Sequence, residues 1–145
     1  MRTVHDNGLP LMQVDRPCRD VAATTRFFTD VLGHTLLFRA DTLAFVDIGG
    51  VRLYLRPAAN EADIVRCSTL YFRTPSIEEC TRQLVARGAH LREPPHIVAR
   101  LPGQDVWLAF VDDPDGRMIG LMEERNQPLP GAMNVKPTGA RGTAT

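Results

Sequence analysis

The sequence has few cysteines, few aromatic residues and no excess of charge of either sign. Its three cysteines, Cys18, Cys67 and Cys80, are odd in number, and none has the close Cys/His spacing of a zinc ribbon. The 17 basic residues are balanced by 17 acidic ones, whereas binding to a phosphate backbone requires a basic surplus or a basic stripe. These absences exclude a disulfide framework and a zinc ribbon, and they argue against a nucleic-acid partner.

Long hydrophobic runs are also missing. No segment approaches the roughly 18 apolar residues that a membrane span requires, and the first residues lack the apolar core of a signal peptide. We therefore expect a cytoplasmic protein without a membrane partner. With 43% hydrophobic residues, the chain has enough apolar material to build the core of one ordinary domain.

What the sequence does contain is an internal repeat. The pentapeptide LAFVD at 43–47 recurs at 108–112. Each copy is followed by a turn rich in Gly or Asp, at 48–50 and 113–116, and then by a short segment of alternating apolar residues. This pattern is typical of a β-hairpin, because Gly-Gly and Asp-Gly supply the positive φ of a tight reversal.

A helix is predicted before each hairpin. The first is expected to begin after Asp20 as N-cap and to end at Gly33. The second begins at Ser76, where Ser-Ile-Glu-Glu predicts a capping box with Glu79, and it ends at Gly88. A strand-like run precedes each helix, and the order strand, helix, strand, strand, strand therefore occurs twice.

The two copies divide the chain into a first βαβββ module over 8–56 and a second over 66–124, which together form one α+β domain. The composition changes at 126–145, where Pro and Gly are frequent, and this segment is predicted to be a flexible tail. Extra residues lie between helix and hairpin in the second module. They contain Glu93-Pro94-Pro95-His96, which we expect to form a loop added for function.

The chain resembles a known family, the vicinal oxygen chelate superfamily of glyoxalase I, bleomycin-resistance proteins and extradiol dioxygenases. The resemblance is carried by the paired modules, by FFTDVLG at 27–33 and by FVDDPDG at 110–116. It implies an open eight-stranded cup, which either one chain closes alone or two chains build in a homodimer by exchanging modules. In many members a divalent metal lies at the centre of the cup.

The family's ligand positions do not carry a metal-binding set in this chain. Carried over residue by residue, they correspond to Gln13, Tyr54, Thr69 and Gly120. A divalent ion requires several carboxylates or imidazoles at one point, so we expect no metal and no other cofactor. A metal site of different composition, with Gln13, His96 and an acid, is the minority interpretation.

Strand alternation predicts which side chains line the cup. Alternation also places Arg52 and Arg56 on the side that lines the cup. Asp15 and Arg73, on the same side, are candidates for a mutual ion pair. Aromatic, thioether and guanidinium groups together suit an aromatic or conjugated ligand with an anionic or carbonyl group. The predicted ligand-binding residues are Gln13, Asp15, Tyr54, Thr69, Tyr71, Arg73, Trp107, Met118, Gly120 and Met122, although a single Trp such as Trp107 is usually a core residue.

Two functions follow from these residues. The first is metal-independent binding of a small aromatic molecule, as in the bleomycin-resistance type. The second is an enzyme of the same superfamily, a lyase, isomerase or dioxygenase-like protein, in which His96 with Asp15 or Glu93 moves protons on a carbonyl or aromatic substrate. An ordinary exposed histidine is the alternative interpretation of His96.

Overall fold

A computed structural model describes residues 8–127 of the chain and places a βαβββ module in each half. The first module consists of β1 (Gln13–Cys18), α1 (Val21–Arg26), β2 (Thr35–Arg39), β3 (Ala44–Asp47) and β4 (Arg52–Pro57). A short helix that the sequence analysis missed, α2 (Glu61–Val65), follows. The second module consists of β5 (Leu70–Arg73), α3 (Ile77–Ala86), β6 (His90–Leu101), β7 (Gln104–Asp112) and β8 (Met118–Asn126).

Each module builds one four-stranded sheet, in the order β1-β4-β3-β2 for sheet 1 and β5-β8-β7-β6 for sheet 2. The first strand of each module pairs in parallel with its last strand, and the other pairs are antiparallel. Both predicted hairpins, β3–β4 and β7–β8, are present. The predicted α+β fold of two repeated modules is confirmed.

The helix boundaries follow the predicted caps with two differences. The Asp20 carboxylate accepts from Ala23 N at 3.1 Å, but α1 continues beyond Arg26 as a π-helical turn over Phe27–Val31 before Gly33 (φ 83°) ends it. At α3 the Ser76 hydroxyl accepts from Glu79 N at 3.4 Å. The reciprocal half of the predicted capping box is wrong, because the Glu79 carboxylate binds Arg82 and Gln83 instead.

The extra residues of the second module form a strand and not the loop that we predicted. The strand β6 spans 12 residues, with register shifts on either side of Glu93. It lies at the edge of sheet 2, which leaves one row of N–H groups unpaired, and the register shift between Glu93 and His96 interrupts pairing with β7 at Pro94 and Pro95. The turn that follows passes through Gly103 at φ 78°.

Alternation along the strands separates a helix-facing side from an opposite side. Helix-facing residues of both sheets, such as Leu53, Val46, Ile119 and Val111, are fully buried in the core. Cys18 belongs to this core, and burial raises the pKa of its thiol. Val14, Leu70 and Phe72 lie on this helix-facing side, since all three pack against the same cluster.

A buried ion pair joins the two modules. Arg16 on β1, 1% exposed, donates from Nη2 to Asp113 Oδ2 at 2.8 Å. Arg87, the residue after α3, makes a second contact between the modules by donating to the carbonyl of Val31 at 2.9 Å. Val31 ends the π-helical turn that follows α1, and a cation is favourable at such a helix C-terminus. These contacts set the two sheets relative to each other.

None of the helices within residues 8–127 has the length and apolar character needed to cross a membrane. The predicted flexible tail lies outside the described residues from position 128 onward.

Candidate functional site

The candidate site consists of the two sheet sides that turn away from the helices, which we call the open faces. On sheet 1 the open face carries the predicted residues Gln13, Asp15 and Tyr54, in strands whose alternate residues are buried. On sheet 2 it carries the predicted residues Tyr71, Arg73, Met118, Gly120 and Met122. Thr69 is exposed, and it directly precedes β5.

The polar groups of the sheet 1 open face are already paired. Arg52 Nε donates to the side-chain oxygen of Gln13 at 2.7 Å. Arg56 holds the Asp15 carboxylate with two hydrogen bonds of 2.7 and 2.9 Å. The predicted pair between Asp15 and Arg73 is therefore wrong, and Arg73 instead lies 4.0 Å from Glu124. Adjacent parallel strands bring Asp15 and Arg56 together, whereas Arg73 belongs to the other sheet.

An aromatic pair forms the centre of the sheet 1 open face. Tyr54 stacks on Phe45 with 5.1 Å between ring centroids and 28° between planes. The Arg52 guanidinium lies over the Phe45 ring, 5.2 Å from its centroid, which is a cation–π geometry. The sequence analysis did not assign Phe45 to the site. Its signal was its place in the repeated pentapeptide, where it alternates with Ala44 and Val46 of the core.

A second aromatic pair forms on the open face of sheet 2. Tyr71 meets Phe110 edge to face, with ring centroids 5.9 Å apart. The Tyr71 ring lies directly over Gly120, where a Cβ would overlap it. The absence of a side chain at Gly120 therefore has a function in packing, since it makes room for this ring.

The strand register shows that the two aromatic pairs occupy equivalent places. Phe45 pairs with Tyr54 across β3 and β4, and Phe110 pairs with Gly120 across β7 and β8. Tyr54 and Gly120 therefore occupy equivalent positions in the two modules. In the first module the ring that meets Phe45 belongs to Tyr54 on the last strand, β4. In the second module the ring that meets Phe110 belongs to Tyr71 on the first strand, β5, which lies beside β8.

His96 lies on the open face of sheet 2, because its strand partner is Leu108 and that residue pairs with Met122. Its Nδ1 donates to the carbonyl of Pro94 at 2.8 Å. In the neutral ring this contact places the proton on Nδ1 and leaves Nε2 as the acceptor. Nε2 lies 3.7 Å from the carboxylate of Glu93.

Trp107 is placed on the opposite side from the other predicted ligand-binding residues. It packs against the core cluster, and the guanidinium of Arg125 covers its ring at 4.5 Å. On β7 it shares the parity of the core residues Ala109 and Val111. Its position matches the core interpretation of a single Trp.

Within residues 8–127, no hydrogen bond, ion pair or ring contact joins the open face of sheet 1 to that of sheet 2. Tyr71 is 51% exposed and Phe38, beside Phe45 on β2, is 54% exposed. The chain therefore presents two separate aromatic surfaces, each with arginines at its margin.

Comparisons with known proteins agree with this geometry. A family model described as the Glyoxalase/Bleomycin resistance protein/Dioxygenase superfamily matches residues 11–121. The chain belongs to this superfamily. A search of curated proteins returned no match.

Several solved structures share the superfamily fold with this chain. A glyoxalase/bleomycin resistance protein/dioxygenase from Nocardioides is 22% identical, with 88% of this chain and 91% of that chain covered and a TM-score of 0.62. A lactoylglutathione lyase from Agrobacterium tumefaciens is 18% identical, with 79% and 92% covered and a TM-score of 0.59. A related protein from Alicyclobacillus acidocaldarius is 15% identical, with 85% and 94% covered and a TM-score of 0.63. At these identities the likeness shows the fold alone.

The residues at the superfamily's metal positions do not fit a divalent ion. The oxygen of Gln13 already accepts from Arg52, and the space at Gly120 is filled by the Tyr71 ring. Tyr54 and Thr69 supply hydroxyl groups, which are weak ligands when neutral. Residues 8–127 hold no cluster of three or more His, Cys, Asp or Glu side chains with metal-binding geometry.

Proposed function

We propose that this superfamily member binds a small aromatic or conjugated molecule on its open faces without a metal. The observation that carries the proposal is an aromatic pair on each open face, beside ligand positions whose residues do not fit a metal. A flat ligand ring can extend each pair by stacking, and an anionic or carbonyl group on it can reach the neighbouring guanidinium. On sheet 1, Arg52 is held in place for this contact by Gln13 and by Phe45.

Ligand binding is tested with 2-naphthoate as the probe and cyclohexanecarboxylate as the matched compound without an aromatic ring. We expect calorimetric titration to detect 2-naphthoate and to show affinity about tenfold weaker after Phe45→Leu, a loss of about 1.4 kcal/mol. Val85→Ala, an exposed position on α3 away from the open faces, is the control variant. Equal binding of the two carboxylates would contradict stacking as the source of affinity.

Metal independence is tested separately by elemental analysis of protein purified without chelator. We expect no stoichiometric transition metal, and we expect the affinity for 2-naphthoate to be unchanged by added Zn²⁺ or Mn²⁺. A stoichiometric metal that survives dialysis would overturn this part of the proposal.

We propose further that two chains form a homodimer in which each sheet 1 open face meets the partner's sheet 2 open face. The support is the large exposure of apolar side chains on open faces that do not meet within the chain, Phe38 and Tyr71 among them. Light scattering after size exclusion should give twice the chain mass. Phe38→Glu should shift the species to monomer, and a monomeric wild-type chain at all concentrations would contradict the homodimer.

The orientation of His96 favours a second candidate function, an enzyme of the same superfamily. A neutral imidazole with its proton fixed on Nδ1 offers Nε2 as a base on the open face of sheet 2. Screening against carbonyl and aromatic substrates should then reveal a turnover that His96→Ala abolishes. His90→Ala, a surface histidine paired with Asp112, is the matched control. Wild-type activity in both variants would leave His96 as an ordinary exposed histidine.

A further inference from the structure

One row of side chains crosses the open face of sheet 2 and has a polar residue at each end. The strand register places Arg73 of β5 beside Met122 of β8. Met122 lies beside Leu108 of β7, and Leu108 lies beside His96 of β6. The row spans three spacings between strands, a width of about 14 Å. A guanidinium and an imidazole therefore lie at opposite margins of this face, with two apolar side chains between them.

The floor between the two margins is apolar. Leu108 and Met122 are partly buried. In the adjacent row Phe110 is buried and meets the ring of Tyr71, while Gly120 beside it adds no side chain. Aromatic and thioether groups bind a planar ring system well, because both are polarizable and present a broad contact surface.

The β6 margin carries two hydrogen-bond acceptors side by side. Nδ1 of His96 donates to the carbonyl of Pro94 at 2.8 Å, so the neutral ring offers Nε2 as an acceptor. The Glu93 carboxylate lies 3.7 Å from Nε2, and both side chains are close to half exposed. An amino group on a ligand suits this pair, because it carries two hydrogens whereas a hydroxyl carries one.

The β5 margin carries a donor of positive charge. The Arg73 side chain is 85% exposed, and its ion pair within residues 8–127 is with Glu124 at 4.0 Å, the upper end of the range for such a contact. A guanidinium held this loosely is free to turn toward a ligand carboxylate and bind it with two parallel hydrogen bonds. The two margins therefore differ in charge and in hydrogen-bonding character.

We propose that the open face of sheet 2 binds a planar aromatic acid with an amino group at the end opposite its carboxylate. The carboxylate bonds to Arg73, the rings lie over Met122 and Phe110, and the amino group donates to His96 and Glu93. Two fused rings suit the width of the row, because a hydrogen bond of about 3 Å follows at each end. This ligand class rests on the open-face function proposed above and applies to sheet 2.

Methionine methyl NMR tests the location in the unmodified protein. Met122 lies in the middle of the row, whereas Met12 is 70% exposed and directly precedes β1 of sheet 1. In protein labelled with ¹³C at the methionine methyl groups, we expect 6-amino-2-naphthoate to shift the Met122 signal and to leave the Met12 signal unchanged. An unshifted Met122 signal would overturn the location.

The amino contact is tested by following the Met122 signal during titration with a matched pair of probes. 6-Amino-2-naphthoate carries both polar ends, and 2-naphthoate lacks the amino group. We expect the wild-type protein to bind 6-amino-2-naphthoate about tenfold more tightly, which corresponds to about 1.4 kcal/mol. His96→Leu and Glu93→Gln should each reduce this preference and leave the affinity for 2-naphthoate nearly unchanged. A preference that survives both substitutions would overturn the contact.

The carboxylate contact is tested with Arg73→Gln. This change should weaken both probes several-fold and leave the preference for the amino group unchanged. Arg100→Gln is the matched control, because Arg100 is also an exposed arginine of sheet 2 but pairs with Asp105. Asp105 shares the helix-facing parity of Trp107. An equal loss of affinity in the two variants would overturn the assignment of Arg73.

The ligand class and the open-face function can fail separately. Binding of 2-naphthoate without any gain from the amino group would overturn the amino contact and leave the open-face function intact. Equal binding of 2-naphthoate and cyclohexanecarboxylate would instead overturn the stacking on which both depend.

Discussion

Removal of the Asp113 carboxylate should be among the most destabilising single changes in this protein. The side chain is fully buried and accepts four hydrogen bonds, from Arg16 Nη2, Arg117 Nε and the backbone N–H groups of Asp115 and Arg117, at 2.8–3.0 Å. Asp113→Ala would leave Arg16 as a buried charge whose partner is gone. Breaking a buried pair in this way costs about 3–5 kcal/mol.

Replacing the other partner of the pair, Arg16, should lower the free energy of unfolding by less. Arg16→Met keeps most of the buried volume, and Asp113 retains Arg117 and two backbone donors. We expect a loss of about 1–2 kcal/mol, because no charge is then left without a partner. The double variant Arg16→Met with Asp113→Ala should be more stable than Asp113→Ala alone, with a coupling of about 0.5–3 kcal/mol.

Urea unfolding followed by far-UV circular dichroism measures all three variants. With a denaturant dependence of about 2 kcal/mol per molar urea, Asp113→Ala should lower the midpoint by about 2 M. If Asp113→Ala does not fold, the comparison between Arg16→Met and the double variant still tests the idea. An Arg16→Met protein less stable than Asp113→Ala would refute the reasoning.

Two further predictions concern the second module. The Arg125 guanidinium, and then the Ile77 N–H at 2.9 Å, hold the pKa of Glu123 below its usual range. The ionised Glu123 carboxylate therefore stabilises the folded state fully above the ordinary pKa of a glutamate, and this stabilisation is lost as the pH falls below about 4. Glu123→Gln should accordingly make Tm decline less steeply in acid. Gly120→Ala should displace the Tyr71 ring and cost about 1–3 kcal/mol, and adding Tyr71→Ala should recover part of this loss. Additive losses in the double variant would contradict the contact.

Much of the fold could be predicted because its signals are local. The N-cap of Asp20, the positive φ of Gly33 and the turns after each LAFVD segment depend on a few neighbouring residues. Alternation of side chains is equally local, so the sides of the strands that carry Gln13 or Tyr71 followed from parity. Repetition of the pattern then predicted two modules of the same fold.

Features that depend on which distant segments lie side by side were predicted less well. The Pro-rich insertion became a strand because an edge position with an interrupted register in sheet 2 tolerates proline. The paired prolines by themselves indicated a loop. The partner of Asp15 depended on which strand lies beside β1, and parallel pairing with β4 selected Arg56 over Arg73.

The sequence by itself determined the repeated modules, their caps and turns, and the lack of a metal-binding set at the positions inherited from the superfamily. Only the tertiary structure decided which rings meet, since Tyr71 reaches Phe110 through the space that Gly120 leaves on a neighbouring strand. It also decided that Arg16 is neutralised by Asp113 of the other module and that Arg73 and His96 lie in one row across sheet 2. The physical reason is that caps and turns act over a few residues, whereas packing joins side chains far apart in the chain.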